Sequence, residues 1–382
     1  MSLRDFKTIE ERRKFIGRIK KLNLPAISIY PKGLKEAQQS NCENMIGAVQ
    51  LPLGIAGPLK IHGRHAAGDY FIPLATTEGA LVASVNRGCK AITAAGGAVV
   101  YEESAGITRG PVFKTNGIGG SLKLKGWLDK HFLQLKKMAR TTSSHLELEK
   151  VDTRIVGRNV YVRFSFDTQD AMGMNMATIA TDKLALFIKQ ETGCGYLALA
   201  ANYDIDKKPA WLNFILGRGR QVWAQATISQ KIVADVLKTT GEKIDKLAVE
   251  KCLLGSAVSG SIGFNAHFAN MIAAIFIATG QDAAHITEGS LGITATEIID
   301  NQLYISVYLP DLPLGTVGGG TGLPAQKEAL GLLGVAGGNR GKNSSCLAEI
   351  VGATVLAGEL SLLASLAEGS LASAHQRLAR KK

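Results

Sequence analysis

The chain has 382 residues, which is long enough for two to three domains around a sizeable buried core. Hydrophobic residues make up 46% and charged residues 20%, which excludes wholesale disorder. The net charge of +12 favours an anionic partner: nucleic acid, a membrane surface or a phosphate-bearing small molecule. Five scattered cysteines without a CxxC pair give no sign of a zinc site or a disulfide framework. Residues 1–24 lack a secretory signal and no apolar run is long enough to span a membrane, so we expect a soluble, cytoplasmic protein.

The hydrophobic pattern predicts helices and strands that mix without strict alternation. Helices are predicted over residues 1–22, 78–95, 126–139, 174–192, 266–279, 324–333 and 343–373. Strands are predicted within 47–74, around Leu122 and Leu124, and over 159–166, 196–201, 222–228 and 302–309. This mixture favours an α+β fold over a doubly wound sheet.

Glu78 stands among small and apolar residues where a helix is predicted to begin. Such surroundings raise the pKa of a carboxyl group, which suits a general acid, whereas a helix N-terminus favours the anion. A structural glutamate in the first turn is the alternative. Arg87 and Arg109 could supply positive charge to an anionic substrate.

Residues 206–209 read DKKP, and residues 280–285 read GQDAAH. A lysine beside a carboxylate can polarise a carbonyl or stabilise an oxyanion, although two adjacent lysines in a turn are usually solvated. Asp282 follows an apolar helix, where a carboxylate is costly unless it is paired with a cation.

Residues 170–176 read DAMGMNM, and residues 315–321 read GTVGGGT. Methionines around a glycine can form a pliable apolar wall for a flat ring, or simply pack in the core. The glycine run could bring backbone N–H groups to a phosphate or form a plain turn. His375, close to the basic C-terminus, could close over a site as a proton donor or lie on the surface.

Together and in this order, these segments resemble the 3-hydroxy-3-methylglutaryl-CoA reductase (HMG-CoA reductase) family. The resemblance covers about residues 40 to 375, and DKKP with DAMGMNM makes it similar to the class I type in its soluble, anchor-free form. The resembling stretches are ENMIG (43–47), PLGIAGPL (52–59), PLATTEGALVASVNRGC (73–89), DAMGMNM (170–176), DKKP (206–209), GSAVSGSIGFNAHFAN (255–270), GQDAAH (280–285) and GTVGGGT (315–321).

The resemblance implies a four-electron reduction of HMG-CoA to mevalonate and CoA with two molecules of NADPH or NADH, and no metal. It assigns oxyanion stabilisation to Lys207, support of that lysine to Asp282, proton donation to Glu78 and protonation of the CoA thiolate to His375. The implied substrate-binding residues are Ser84, Asn86, Arg87, Arg109, Asp206, Lys208, Lys251 and Asn270. The implied cofactor-binding residues are Ser143, Ser144, Asp170, Met172, Gly173, Met174, Asn175 and Met176.

One implied cofactor contact departs from the family pattern. Class I members often place Ser-Arg where this chain has Ser143 and Ser144, and that arginine contacts the 2′-phosphate of NADPH. The preference for NADPH over NADH is therefore open at this point.

The resemblance also implies a domain organisation and an oligomer. A small helical region covers residues 1–40, and a large CoA-substrate domain with a long central helix covers 41–110 and 201–382. A small ferredoxin-like nicotinamide-binding domain, 111–200, is inserted into it. The family shares its active site across a homodimer, which can pair into a tetramer.

Two other functions compete with this interpretation. A CoA-dependent acyl transferase would need a nucleophile, and Cys89 is the cysteine nearest to the charged motifs. A basic nucleic-acid-binding protein is supported by net charge alone, because aromatic residues are 6% and do not alternate with basic ones. We expect neither a nucleic acid nor a membrane as partner.

Overall fold

Residues 3–369 are described by the computed structural model, which is a mixed helix and sheet protein. Eleven strands lie within this range. They are β1 (Leu53–His62), β2 (Ala67–Ala75), β3 (Ala98–Arg109), β4 (Val112–Lys114), β5 (Glu147–Val156), β6 (Asn159–Asp167), β7 (Gly195–Ala198), β8 (Arg218–Ser229), β9 (Gly263–Phe264), β10 (Gly292–Ile299) and β11 (Gln302–Leu312).

Fourteen α-helices lie within the same range, joined in places by short 3-10 and π-helical turns. They are α1 (Ile9–Lys20), α2 (Ala37–Ser40), α3 (Leu81–Ala94), α4 (Ile118–Lys130), α5 (Phe132–Arg140), α6 (Met174–Thr192), α7 (Trp211–Leu216), α8 (Gln230–Ile232), α9 (Gly241–Ala248), α10 (Ser256–Ser259), α11 (Phe268–Thr279), α12 (Ile286–Gly289), α13 (Pro324–Leu332) and α14 (Lys342–Glu368).

Strand β3 joins two parts of one extended sheet. Its residues 99–106 pair antiparallel with β8, and its last three residues pair antiparallel with β6. The strand order through this junction is β7-β4-β6-β3-β8-β11-β10-β9, with β1 beside β3, β2 beside β1, and β5 beside β6. The polypeptide thus passes from one sheet region to the other along a single continuous strand.

Helix α14 forms the centre of the larger core. It is long and apolar enough to cross a membrane, but 78% of its most apolar stretch is buried inside the fold. It packs on α3, α11 and the strands β3, β8 and β11. Gly352 faces Val222, and Gly358 faces Met271, so small residues let α14 approach its neighbours closely. α14 is therefore the core helix of the protein.

Two buried glutamates on α14 fix surrounding loops. Glu349 accepts the backbone N–H groups of residues 64–66, and Glu359 accepts those of Ala266 and His267. Hydrogen bonds to several backbone N–H groups compensate a buried carboxylate for its lost hydration. The loop in front of α11 is thereby held against the core helix.

A second core lies between residues 107 and 196, where α4 and α5 pack on β5, and α6 packs on α5 and β3. A third, small cluster of Ile9, Ala37 and Met45 holds the N-terminal region together. The prediction of strand around Leu122 and Leu124 was wrong, because both lie in α4. Leu124 and Leu128 are the buried pair there, one helical turn apart.

Candidate active site

An open cleft of about 770 Å³ collects four segments that are distant in the sequence. Most of its wall comes from residues 171–176, 206–207, 280–282 and 315–321, with Arg109 at one side. One common space is therefore lined by the methionine-rich segment, the DKKP turn, the GQD turn and the glycine run. A concave cavity with a few convergent charged groups is the usual form of a small-molecule site.

Lys207 and Asp282 form an ion pair in this cleft. The Nζ of Lys207 lies 2.7 Å from Oδ2 of Asp282, and the Oδ1 of Asp282 accepts the N–H of Ala284. Partial burial raises the pKa of Asp282, but the hydrogen bonds from Lys207 and Ala284 and the charges of His285 and Lys207 outweigh it. The pKa of Asp282 is lowered overall, so its carboxylate is ionised at neutral pH.

The loop that presents Lys207 has an unusual backbone. Ile205 and Lys207 both have positive φ, at 50° and 59°, which is a rare conformation for side chains of this kind. The backbone N–H of Lys207 donates to Oε1 of buried Glu288 over 2.9 Å. Buried Arg218 donates to the same oxygen over 2.8 Å and to Oδ1 of Asp206 over 2.9 Å. These buried groups hold the strained loop in place.

Arg109 reaches the cleft from the end of β3. Its guanidinium lies 3.2 Å from Asp204 and 3.7 Å from Asp206, and it donates to Oγ1 of Thr178 on α6. Two carboxylates and a hydroxyl therefore fix its direction. A guanidinium held in this way is suited to binding a carboxylate or phosphate.

The glycine run lies directly against the GQD turn. Gln281 accepts the N–H of Gly315 and donates to its carbonyl, each over 2.9 Å. A Cβ at Gly320 would come within 2.6 Å of the Gly280 carbonyl, so this approach requires glycine. A Cβ at Gly318 or Gly319 would meet no atom, which leaves backbone open to the cleft. These contacts form a cradle suited to a flat ring or a phosphate.

Asp170 lies apart from the rest of the methionine-rich segment. It is buried, and its carboxylate accepts the backbone N–H groups of Asn339, Gly341 and Ser344 at 2.5–3.0 Å. The structure thus uses this carboxylate to anchor the start of α14. Met172, Gly173, Met174, Asn175 and Met176, in contrast, line the cleft.

Ser143 and Ser144 lie in the turn between α5 and β5. His145, next to them, is hydrogen-bonded through Nδ1 to Gln169, which directly precedes Asp170. The turn therefore borders the segment that leads into the cleft. Lys183 on α6 donates to Thr141 in the same turn over 2.7 Å and places a cation there.

Glu78 lies outside the lining of the cleft that contains Lys207. It is exposed in the turn before α3, which begins at Leu81, and its carboxylate accepts the side-chain N–H of Asn270 at 3.0–3.2 Å. The apolar surroundings expected for Glu78 are absent in the described single chain. Glu78 also does not line the cleft of Lys207 and Asp282 within residues 3–369.

The other candidate substrate residues spread along α3 and a second cavity. Ser84 and Arg87 contact Ser361 on α14, and exposed Asn86 accepts the N–H of Gly57. Lys251 lines a second open cavity, of about 820 Å³. Lys208 is exposed and donates to Asn202 over 2.6 Å.

The DKKP segment borders both cavities. Asp206 and Lys207 face the first one, and Pro209 lines the second together with Lys251. A long ligand could therefore contact this segment from both sides. His375 lies outside the described residues.

Cys89 does not have the properties of a nucleophile. It is fully buried in α3, and burial raises the pKa of its thiol to about 12. A reactive cysteine needs exposure and a lowered pKa. The acyl transferase therefore lacks the nucleophile that the sequence had pointed to.

Comparison with known proteins decides the family. The family model described as hydroxymethylglutaryl-coenzyme A reductase matches residues 8–380. The chain belongs to the hydroxymethylglutaryl-coenzyme A reductase family. It is 50% identical over 370 residues to the 3-hydroxy-3-methylglutaryl-coenzyme A reductase of Methanothermobacter thermautotrophicus, covering 97% of this chain and 92% of that protein. It is 51% identical over 377 residues to the reductase of Methanocaldococcus jannaschii, with the same coverage.

Solved structures of this reductase family share the fold. The class II 3-hydroxy-3-methylglutaryl-CoA reductase of Streptococcus pneumoniae, solved with NADPH in open conformations, matches with a TM-score of 0.70 and 20% identity. The match covers 94% of this chain and 97% of that one. The Fusarium fujikuroi reductase is 46% identical over 347 residues, which are 88% of this chain and 35% of that protein.

Sequence reasoning about this reductase missed the buried residues behind the ion pair. Arg218, Glu288, His285 and Thr178 all touch groups of the cleft. Arg218, Glu288 and Thr178 belong to no motif that drew attention, and His285 lies in GQDAAH but was given no role. Arg218 stands in a strand and Glu288 in a short helix, and each resembles an ordinary surface charge in the sequence. Only the fold reveals that both are buried.

Proposed function

We propose that this chain reduces HMG-CoA to mevalonate and CoA with two molecules of NADPH or NADH, as an oxidoreductase of the mevalonate pathway of isoprenoid biosynthesis. The observation that carries the proposal is the Lys207–Asp282 ion pair, which faces the same cleft as the methionine-rich segment. Relatives of about 50% identity that bear this enzyme name support it. The acyl transferase and the nucleic-acid-binding protein have no comparable support.

The roles of the cleft residues follow from charge. The bound nicotinamide cofactor supplies the hydride for each of the two reductions. Each reduction places negative charge on the substrate's carbonyl oxygen, and the ammonium of Lys207 stabilises that oxyanion. Asp282 pairs with the ammonium of Lys207 and directs it into the cleft. This electrostatic contribution is commonly the largest part of such catalysis.

Two proton donors complete the proposed chemistry. Glu78 donates a proton to the oxygen of mevaldehyde, the aldehyde formed by the first reduction, so that mevalonate is released as an alcohol. His375 donates a proton to the sulfur of the departing CoA thiolate. Asn270 holds the Glu78 carboxylate through its side-chain N–H.

The basic residues are proposed to bind the anionic parts of HMG-CoA. Arg109, Lys208 and Lys251 are the cations among them, and Arg109 already has its direction fixed by Asp204 and Thr178. Ser84, Asn86, Arg87, Asp206 and Asn270 complete this set. Phosphates and a terminal carboxylate prefer charge-assisted hydrogen bonds of this kind.

The residues along the cleft fit a nicotinamide cofactor. The open backbone at Gly318 and Gly319, together with the segment from Met172 to Met176, offers amides and an apolar wall to a flat ring. Ser143 and Ser144 are proposed to lie at the 2′-phosphate, with Asp170 anchoring the adjacent backbone. NADPH is the proposed preference because Lys183 supplies a cation to that turn.

The open face of the sheet supports a homodimer. Tyr101, Trp223, Tyr308 and Ile293 are paired in register across β3, β8, β11 and β10 and form one apolar row. Trp223 stacks on Tyr308 at 5.2 Å, yet Trp223 and Tyr101 are 36% and 45% exposed. A second copy covering this row would remove that surface from water and complete a site that Glu78 does not line within residues 3–369 of one chain.

The domain division and class are further parts of the proposal. The second hydrophobic core supports a small ferredoxin-like cofactor domain at 111–200, inserted into a substrate domain of 41–110 and 201–382 behind the N-terminal region 1–40. The class I type is supported by the DKKP and DAMGMNM motifs. We place the protein in the cytoplasm, as its sequence predicts, without a metal ion.

The proposal is tested by mixing the enzyme with HMG-CoA and either NADPH or NADH and measuring the loss of absorbance at 340 nm. Two cofactor molecules oxidised for each CoA released are expected, because conversion of a thioester to an alcohol takes four electrons. Lys183→Gln should lower kcat/KM for NADPH more than for NADH, and Lys125→Gln on α4 is the matched control. No oxidation of either cofactor by a folded sample would overturn the proposed function.

A further inference from the structure

His285 is a fully buried histidine directly behind the Lys207–Asp282 pair. It ends the 3-10 turn of residues 283–285 that follows Asp282, and its Nδ1 is hydrogen-bonded to Oε2 of Glu288. Among residues 3–369, its Nε2 has no hydrogen-bond partner. That nitrogen lies 3.9 Å from Oδ2 of Asp282 and 4.0 Å from Oδ1 of Asp206. A buried polar atom without a partner is costly, so this position calls for an explanation.

Both ring nitrogens of His285 are directed at carboxylates. An ionised carboxylate only accepts hydrogen bonds, so a nitrogen that faces one is best placed when it carries a proton. Nε2 lies within 4.0 Å of two such groups, Asp206 and Asp282. The Nε2–H of His285 is therefore a donor that lies near two carboxylates but beyond hydrogen-bond distance of both.

The neighbouring charges argue against a metal ion at this position. Asp206, His285 and Glu288 bring three potential ligand atoms within 4.8 Å of one another. Buried Arg218, however, already binds both carboxylates, at 2.9 Å and 2.8 Å. A second cation beside that guanidinium would meet strong repulsion in a buried site.

We propose that His285 is a positioning residue for the reduction. Its Nε2–H donates a hydrogen bond to the carboxylate of Asp282 when the ammonium of Lys207 moves from Asp282 to the substrate oxyanion. The inference rests on the proposed function of the cleft. The Oδ2 atom of Asp282 is the one that Lys207 binds and also the one that Nε2 of His285 approaches. The histidine can therefore replace Lys207 as the hydrogen-bond donor to this oxygen. Closing the 3.9 Å gap to hydrogen-bond length needs a movement of about 1 Å.

Two substitutions separate the two nitrogens of His285. The amide nitrogen of Gln reaches the place of Nε2, whereas the amide nitrogen of Asn reaches that of Nδ1. His285→Gln keeps a donor toward Asp282 and loses the bond to Glu288, and His285→Asn does the reverse. A purely structural role through Glu288 would favour Asn, while the proposed role favours Gln.

The measurements are kcat, KM for HMG-CoA, and the midpoint of urea unfolding for the full-length enzyme. We expect His285→Asn to lower kcat about 100-fold and to leave KM nearly unchanged, because a misplacement of about 1 Å at a reacting group has that effect. His285→Gln should lose about threefold in kcat but more stability than His285→Asn, since it breaks a buried hydrogen bond. His131→Asn, between α4 and α5 and outside the lining of the cleft, is the matched control and should leave kcat unaltered.

The outcomes distinguish the proposal from the function it rests on. An inactive wild-type enzyme would overturn both. An active wild type with equal kcat losses in the Gln and Asn variants, or with a smaller loss for Asn, would overturn the role of Nε2 alone. If the Asn variant does not fold, kcat of the Gln variant alone tests the role of Nε2. A loss of about threefold supports that role, and a loss of about 100-fold contradicts it. A divalent metal retained by the purified wild type after dialysis, and lost in both variants, would also overturn it.

Discussion

Lys207 and Asp282 form an ion pair that is more than one-third exposed on both sides, with 2.7 Å between Nζ and Oδ2. Exposed ion pairs stabilise proteins little, because water screens the charges and two long side chains lose freedom. The small stabilisation from an exposed ion pair does not account for the strained loop and the buried groups that position this pair. The arrangement is better explained by chemistry at the cleft.

Removal of the Asp282 charge tests that explanation. We expect Asp282→Asn to lower kcat about 100-fold, since loss of one preorganised electrostatic group has this effect. The variant should unfold at nearly the same urea concentration as the wild type at pH 7. A variant that keeps near-normal kcat would remove Asp282 from the mechanism. Asp129→Asn, in an exposed pair with Lys125, is the matched control and should leave kcat unchanged.

The lowered pKa of Asp282 fixes the direction of its pH dependence. Its usual value is 3.8, and its pKa in the folded protein lies below that. The group therefore contributes stability that is present above the unfolded-state pKa and is lost as the pH falls through the folded one. Urea unfolding should show the wild type's small advantage over Asp282→Asn at pH 6 and its disappearance below pH 3.8. An advantage that grows in acid would contradict the assignment.

The buried Arg218–Glu288 pair should matter far more for stability. Both side chains are fully buried, with 2.8 Å between Nη1 and Oε1. Loss of one partner of a buried pair typically costs about 3–5 kcal/mol, because the remaining charge stays out of water. We expect Glu288→Gln to lose an amount of that order in urea unfolding. Glu149→Gln, which affects an exposed pair with Lys136, should change stability by less than about 1 kcal/mol. Equal effects would show that Arg218 is adequately held by Asp206.

The aromatic row on the open sheet face gives a test of association. Trp223→Glu places a charge in the middle of the row, where a covering subunit would have to bury it. Sedimentation velocity should show the wild type as a dimer or tetramer and the variant as a monomer with much lower activity. Leu133→Glu, at an exposed position of α5, is the control and should leave the assembly intact. A monomeric wild type would reject the dimer.

The sequence predicted most helices because their apolar residues follow a clear helical spacing. Helices α3, α6, α11 and α13 lie within a few residues of the predicted positions. Helix α1 begins eight residues later than predicted, and α14 ends at Glu368. Strand β3 was missed, although it joins the two sheet regions. Its sequence contains Glu102, which resembles an exposed charge but is buried against Arg220. Local pattern cannot reveal a partner that is brought in by the fold.

The candidate site was predictable to a similar extent. The sequence proposed Lys207, Asp282 and the methionine-rich segment, and the fold brings them to one cleft. It could not place Glu78, whose exposure depends on the three-dimensional arrangement and on any second subunit. It also missed the buried polar network, because Arg218 and Glu288 gain their meaning only from long-range contacts.

Two glycine substitutions test the close packing of the core helix. In α3, a Cβ at Gly88 would overlap the backbone carbonyl of Ala357 on α14, and backbone cannot yield as a flexible side chain can. We expect Gly88→Ala to destabilise the protein by about 1–3 kcal/mol, as is typical of overpacking. Gly126 in α4 has open space at the same position, so Gly126→Ala should stabilise by about 0.5–1 kcal/mol through helix propensity. Opposite signs in urea unfolding support the packing of α3 on α14, whereas two stabilising changes would contradict it.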